Sequence, residues 1–337
     1  MNLTRRCFVQ TSASALPLVA LGPSTQGLTK PDPLPSWHEG PSKSAILEFV
    51  AKVTKEGTAN FVAPVDRIAT FDLDGTLIPE NPVPSEIAFV FSRVKAEADK
   101  HPEWKELQPF KAVLENDVPT LLAQGKVALV KLVLATHTGM TTDEFEASVH
   151  EWLKTAKHPR FHRLYTDLAY PPMLEVLALF RANDFKTFIV SASSSVFVRC
   201  WPESMFGIPR EQIIGSMFKT QYEMRGDSPV FAILPELIYL DDKAGKPAGI
   251  QQIIGRRPIA AFGNSDGDQQ MLEWTTTRPG PSFGLLVHHT DEVREWAYDR
   301  KPKSSGKLDL ALDDVQKRGW TLVDMQKEWK QVFAFRD

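Results

Sequence analysis

The pentad Asp72-Leu73-Asp74-Gly75-Thr76 stands directly after a short apolar run, 67–71, that reads as a strand. Residues two apart in an extended strand point the same way, so Asp72 and Asp74 are expected to project together beyond the carboxyl edge of a buried strand. At ~4 Å two carboxylates repel by about 1 kcal/mol in water and about 4 kcal/mol at an effective dielectric of 20. That is enough to favour either a raised pKa or a bound cation. A hard divalent ion such as Mg²⁺ takes oxygen ligands and keeps several waters, which suits two acids plus one more oxygen. The competing reading is an Asp-Gly hairpin turn. Against it, 77–84 carries Pro79, Pro82 and Pro84 and runs into a helical pattern, so no partner strand returns.

The elements that must hold this pair follow from periodicity. A helix is expected over 44–53, with Ile46, Leu47, Phe49, Val50 and Val53 at helical spacing. From 83 to 165 the chain reads as all helical: 85–98, 127–136, and a helix opened by the capping box Thr141-Thr142-Asp143-Glu144. Beyond Pro171-Pro172 helix and strand alternate. Strands are expected at 187–190, ending in Ser191, at 259–262 and at 284–287, and helices at 173–182, 197–205, 248–254 and 268–274; 213–239 has the alternating look of strands. Short buried strands separated by helices predict an α/β fold, a doubly wound parallel sheet, with the helical block inserted after its first strand.

Four segments, in this order and spacing, resemble the motifs of the haloacid dehalogenase superfamily: the Asp72–Thr76 pentad, Ile189-Val190-Ser191, Lys246 ahead of a helix, and Gly263-Asn264-Ser265-Asp266-Gly267-Asp268. The helical insertion sits where phosphoserine-phosphatase-like members carry a helical cap. The resemblance implies an α/β core over 44–82 and 166–337, a cap over 83–165, and a Mg²⁺-dependent phosphatase acting on a small phosphomonoester. It makes Asp72 the nucleophile that forms an aspartyl-phosphate, and Asp74 the acid and base that serves the leaving alcohol and then water. It gives Ser191 and Lys246 to the phosphate oxygens, with Gly75, Thr76 and Glu80 facing the substrate. Lys243 is a rival for the motif lysine; Pro247, a good first helical residue, favours Lys246. The implied metal ligands are the Asp72 carboxylate, the Asp74 carbonyl and the residue at 264. The chain departs from the commoner pattern there, because Asn264 offers an oxygen without a charge, and Asp268 or Asp266 is expected to make up the difference. A phosphotransferase or mutase on the same scaffold, and a non-catalytic phosphate-ester binding protein, are the alternatives.

The whole chain bounds these readings. Its 337 residues, 42% hydrophobic and 24% charged, suffice for one large core or two ordinary ones. A net charge of −3 supplies no general attraction to nucleic acid or to an anionic membrane. Arg5-Arg6, followed by a weakly apolar Ala/Ser-rich stretch, resembles a twin-arginine export signal over 1–27. It implies the twin-arginine export machinery as a partner and a periplasmic or secreted product, with no stable membrane insertion once the signal is removed. A Pro-rich linker is expected over 28–43, and Cys200 would be alone in the mature chain. Trp104, Trp152 and Tyr165 are expected to be mostly core. His288-His289 lacks a third spaced ligand, His158 and His162 read as a solvated helix end, and 303–307 reads as a flexible basic loop.

Overall fold

A computed structural model describes residues 31–335; the expected export signal, 1–27, lies outside the described residues. Seven strands form one sheet: β1 (Ile68–Phe71), β2 (Lys186–Ser194), β3 (Ile213–Arg225), β4 (Ser228–Tyr239), β5 (Ala260–Gly263), β6 (Phe283–His288) and β7 (Thr321–Asp324). Their order is β4-β3-β2-β1-β5-β6-β7, parallel throughout except for the antiparallel pair β3/β4. This is the doubly wound α/β sheet that the alternation predicted. The chain travels outward from β1 through β2 to β3, then returns to the opposite flank of β1 as β5. The direction of winding therefore reverses between β1 and β5, and such sheets bind ligands in the crevice at the carboxyl ends of the strands flanking that point.

All four residues of β1 are buried, as a strand covered by helices on both faces requires. Its register against β5 sets Phe71 beside Phe262, whose rings stack at 4.3 Å between centroids. The Asp72 amide continues that ladder by donating to the Phe262 carbonyl at 2.9 Å. The main chain carrying the first acid is thus pinned before its side chain makes any contact.

The helical insertion contains Ser85–Glu97, Phe110–Leu114, Val118–Ala123, Gly125–His137 and Thr142–Thr155. The first four share an apolar cluster of their own around Val94, Trp104, Phe110 and Leu132, whereas Phe145, Val149 and Leu153 of the fifth join the main core. The capping box forms: Thr141 Oγ1 accepts from the Glu144 amide at 3.1 Å and Glu144 Oε2 from the Thr141 amide at 2.7 Å. Trp104 stacks on Phe110, and Trp152 packs against Tyr165 and Phe89. The region 213–239 is a long hairpin, closed by Gly226-Asp227 between the paired Arg225 and Ser228. Its second strand bonds to the insertion, the Gly139 amide donating to the Ile233 carbonyl at 3.1 Å and the Ile233 amide to the Met140 carbonyl at 2.9 Å.

Two expectations are corrected. The described part of the 28–43 linker is no solvated tether: Leu34 and Trp37 are fully buried, and the Trp37 indole donates to the Pro172 carbonyl at 3.0 Å and meets Trp329 edge-on. The physical reason is the two large apolar side chains, which an extended Pro-rich segment can lay against the core. Likewise His158 is not solvated. It is buried, its Nε2 lies 2.8 Å from the Asn81 carbonyl, and its Nδ1 accepts from the Arg160 amide at 3.2 Å, which makes the ring neutral. Among the described residues no helix is long and apolar enough to cross a membrane.

Burial pushes the His158 imidazole down to about 4, from 6.5. The unfolded ring takes a proton near its ordinary value and the folded ring does not, so acidification through that window favours the unfolded chain. This one group is expected to remove up to about 3 kcal/mol of stability between pH 6.5 and 4. Urea unfolding at a series of pH values should show the decline, and His158→Gln should flatten it; an equally steep decline in the variant would contradict the assignment.

Candidate active site

Lys246, at the start of the helix Gly245–Ile253, is the centre of the site. Its ammonium donates to Asp72 Oδ1 at 2.6 Å, to Asp268 Oδ1 at 2.6 Å and to the Val190 carbonyl at 2.9 Å, so all three of its donors are used. Lys243 is exposed at the cavity rim instead. Burial alone would lower the Lys246 ammonium, but Asp268 and Asp72 hold it above its ordinary value and keep it charged. Burial, reinforced by Asp268 and opposed by Lys246, pushes the Asp72 carboxyl up to about 8.

Asp74 points to the insertion. Its Oδ1 accepts from the Ser85 amide and hydroxyl, each at 3.0 Å, and its Oδ2 from the Ser193 hydroxyl at 3.1 Å. Burial raises its pKa, against the lowering effect of those hydrogen bonds. Ser191 is buried on β2, its hydroxyl accepting from the Ser193 amide at 3.2 Å. Asp72, Asp74, Glu80 and Ser191 together line a cavity of about 510 Å³, whose outer wall includes Lys243, Gln270 and the loop Ser304–Lys307.

Gly75 turns the chain out of the site at φ +83°, and a Cβ there would lie 2.1 Å from Asn264 Nδ2 and 2.4 Å from Glu80 Oε1. Only glycine fits that contact. Asn264 Oδ1 accepts from the Thr76 hydroxyl at 3.2 Å, and its Nδ2 donates to Glu80 Oε1 at 2.5 Å. Glu80 also accepts from the Tyr298 hydroxyl at 2.9 Å. Burial raises the Glu80 pKa well above the usual carboxylate range, Tyr298 and Asn264 pulling the other way.

Asp268 and Asp266, expected to supplement Asn264, both accept main-chain amides. Asp268 Oδ2 accepts from the Asn264 and Ser265 amides, each at 3.0 Å, while its Oδ1 holds Lys246. Asp266 Oδ1 accepts from the Asp309 and Ala311 amides at 2.8 and 3.0 Å. Among the described residues neither Asp72 Oδ2 nor the Asp74 carbonyl has a hydrogen-bond partner.

Three contributors were missed or set aside on sequence. His289 bridges Glu295 Oε2, at 2.9 Å, and the Gly75 carbonyl, at 2.8 Å, and so buttresses the turn after Asp74. Tyr298 holds Glu80, and the 303–307 loop packs into the site rather than waving in solvent: Gly306 lies so close that a Cβ would stand 2.1 Å from Glu80 Oε1. Adjacent histidines, a lone tyrosine and a Ser-Gly loop carry no spacing that reveals a partner some two hundred residues away.

Residues 69–273, more than half the chain, match the haloacid dehalogenase-like hydrolase family. The chain belongs to that family. Among solved structures it is similar in fold to a conserved protein of Anaerococcus prevotii DSM 20548 described as functionally unknown, at 16% identity and a TM-score of 0.51, over 82% of this chain and 88% of that one. A protein of Bordetella pertussis Tohama I, also described as of unknown function, matches at 16% identity and a TM-score of 0.47, over 77% and 98% of the two chains. A phosphoserine phosphohydrolase-like protein of Francisella tularensis subsp. tularensis SCHU S4 matches at 18% identity and a TM-score of 0.37, over 66% and 87%. No curated protein matches the chain by sequence.

Removing the ammonium from this hydrolase site would leave two buried carboxylates without a counter-charge. Lys246→Met is expected to cost about 3–5 kcal/mol at alkaline pH, where Asp72 is ionised. The deficit should shrink as pH falls toward about 8, because without the ammonium the folded Asp72 carboxyl takes up its proton at a higher pH than in the unaltered protein. Paired urea midpoints at alkaline pH and near pH 8 check this; a deficit that does not change across that window would contradict it.

Proposed function

We propose that the chain is a Mg²⁺-dependent phosphomonoesterase that works through an aspartyl-phosphate at Asp72. The observation that carries the reading is the state of the Asp72 carboxylate. One oxygen is fixed by Lys246, and the other is open at a cavity shared with Asp74 and Ser191. Asp72 Oδ2 attacks phosphorus as the bond to the leaving alcohol breaks, and Asp74 delivers its proton to that oxygen. Water then attacks phosphorus, giving its proton to Asp74 and freeing Asp72. A raised pKa suits Asp74 to this alternation, since it holds a proton in one step and accepts one in the next. The Ser191 hydroxyl is placed to donate to a phosphate oxygen. With all three donors engaged, Lys246 contributes fixed charge and position rather than a free hydrogen bond.

The donor set fits a hard cation. Asp72 and Asp74 are buried and raised by burial, and among the described residues Lys246 is the ammonium bonded to Asp72. The Asp72 carboxylate, the Asp74 carbonyl and Asn264 Oδ1 would hold Mg²⁺, which when bound would supply positive charge favouring ionised Asp72 and offsetting the phosphate. The partner is a small phosphorylated metabolite.

Asp72→Asn should lower turnover of p-nitrophenyl phosphate with Mg²⁺ by at least roughly 10⁴-fold without loss of folding, and rapid-quench mass spectrometry of the unaltered protein should find a phosphoryl adduct on Asp72. Turnover near the parent rate would defeat the nucleophile assignment. Phosphate released to water marks a phosphatase, phosphate appearing on an added alcohol a phosphotransferase, and binding without either a carrier.

We propose, further, that Arg5-Arg6 routes the chain to the twin-arginine machinery and the periplasm, a reading supported by the weakly apolar Ala/Ser-rich stretch that follows the arginine pair. Arg5→Lys with Arg6→Lys should leave the protein in the cytoplasmic fraction; unchanged export would refute it.

A further inference from the structure

A second cavity, of about 290 Å³, adjoins the first and shares Pro84, Ala192, Ser193 and Asp242 with it. Its walls are apolar: Leu129, Val130 and Val133 from the helix Gly125–His137 face Phe218, Leu237 and Leu240 of the β3/β4 hairpin and the turn beyond it. Of the polar groups among the wall residues, Glu86, Ser194 and Ser216 bond one another, a neighbouring histidine or the backbone, and Asp242 stands where the two cavities join. Glu86 accepts from the Ser194 amide at 2.9 Å and pairs with His137 at 3.1 Å, and the Ser216 hydroxyl donates to the Ala192 carbonyl at 2.7 Å. Val130 and Leu240 nonetheless stay 37% and 50% exposed, so this face is left uncovered in the free protein.

Asp74 fixes what belongs there. The acid that protonates the leaving oxygen bonds through Oδ2 to Ser193 and through Oδ1 to Ser85, next to Pro84; Ser193 and Pro84 both stand in the wall between the cavities. A phosphate seated on Asp72 with its ester oxygen at Asp74 therefore directs the rest of the substrate toward the apolar side. A cavity of about 150 Å³ lined by aliphatic side chains already admits a benzene ring, so this one accommodates a larger group.

We infer that the substrate is a phosphomonoester of an apolar alcohol, whose alkyl portion lies between the helix Gly125–His137 and the β3/β4 hairpin. This rests on the phosphatase reading above and names its substrate class. A polar leaving group would gain nothing from these walls and would lose its water to them.

The test uses straight-chain alkylphosphonates, from ethyl to octyl, as non-hydrolysable probes measured by calorimetry with the full chain and Mg²⁺, beside hydrolysis of the matching alkyl phosphates. Affinity is expected to rise roughly 3- to 4-fold per methylene until the groove is filled. Val130→Asp and Leu240→Asp, both at partly exposed positions, are each expected to cut the octyl-to-ethyl affinity ratio at least tenfold. Affinity independent of chain length overturns the inference, whether or not p-nitrophenyl phosphate is hydrolysed. A rise that both variants leave intact overturns it also, since the chain then binds elsewhere. A rise that the variants abolish, without hydrolysis of any ester, upholds the groove and refutes the phosphatase reading.

Discussion

The contact on which the site depends is the three-way bond of one buried ammonium. Lys246 satisfies Asp72 on β1, Asp268 after β5 and the Val190 carbonyl on β2, so a single group ties three adjacent strand ends together. Taking those charges out of water is costly, and the cost is recovered only because every donor has a partner at short range. Such a device contributes little to net stability by itself. What it fixes is direction: one Asp72 oxygen is committed, so the other faces the cavity in a single orientation.

The sheet order explains why these residues can meet. β1 lies between β2 and β5, and the switch in winding leaves the crevice above β1 open while helices cover the faces. The long-range pieces then close it from outside. His289 after β6 supports Gly75, Tyr298 holds Glu80, and Gly306 fits against both. The turn after Asp74 is shaped as much by residues far downstream as by its own sequence.

This division decides what could be read beforehand. β1, β5, β6, the capping box at Thr141 and the alternation around them follow from local periodicity, whereas Asp72 and Asp74 lie beyond the end of β1 and reach one cavity through the turn that follows it. The packing of Leu34 and Trp37, the hairpin's bonds to Gly139 and Met140, and the roles of His158 and His289 depend on partners remote in the chain. Spacing carries no record of those. The amide bonds of Asp266 and Asp268 were hidden for another reason: whether an acid beside a glycine-rich turn accepts main-chain amides depends on the loop's shape.

That same constraint accounts for the amide at position 264. Its Nδ2 donates to Glu80 Oε1, and its Oδ1 accepts from Thr76, so the two ends of the side chain have opposite duties. An aspartate there could perform only the second. It would also set one carboxylate against another at the distance where Asn264 now makes a hydrogen bond, in a pocket where burial already raises Glu80. Only glycine fits at 75 and at 306, since a Cβ at either position would run into Glu80 Oε1. Given a glutamate at 80, the amide at 264 lets one side chain serve both neighbours, donating to Glu80 and accepting from Thr76.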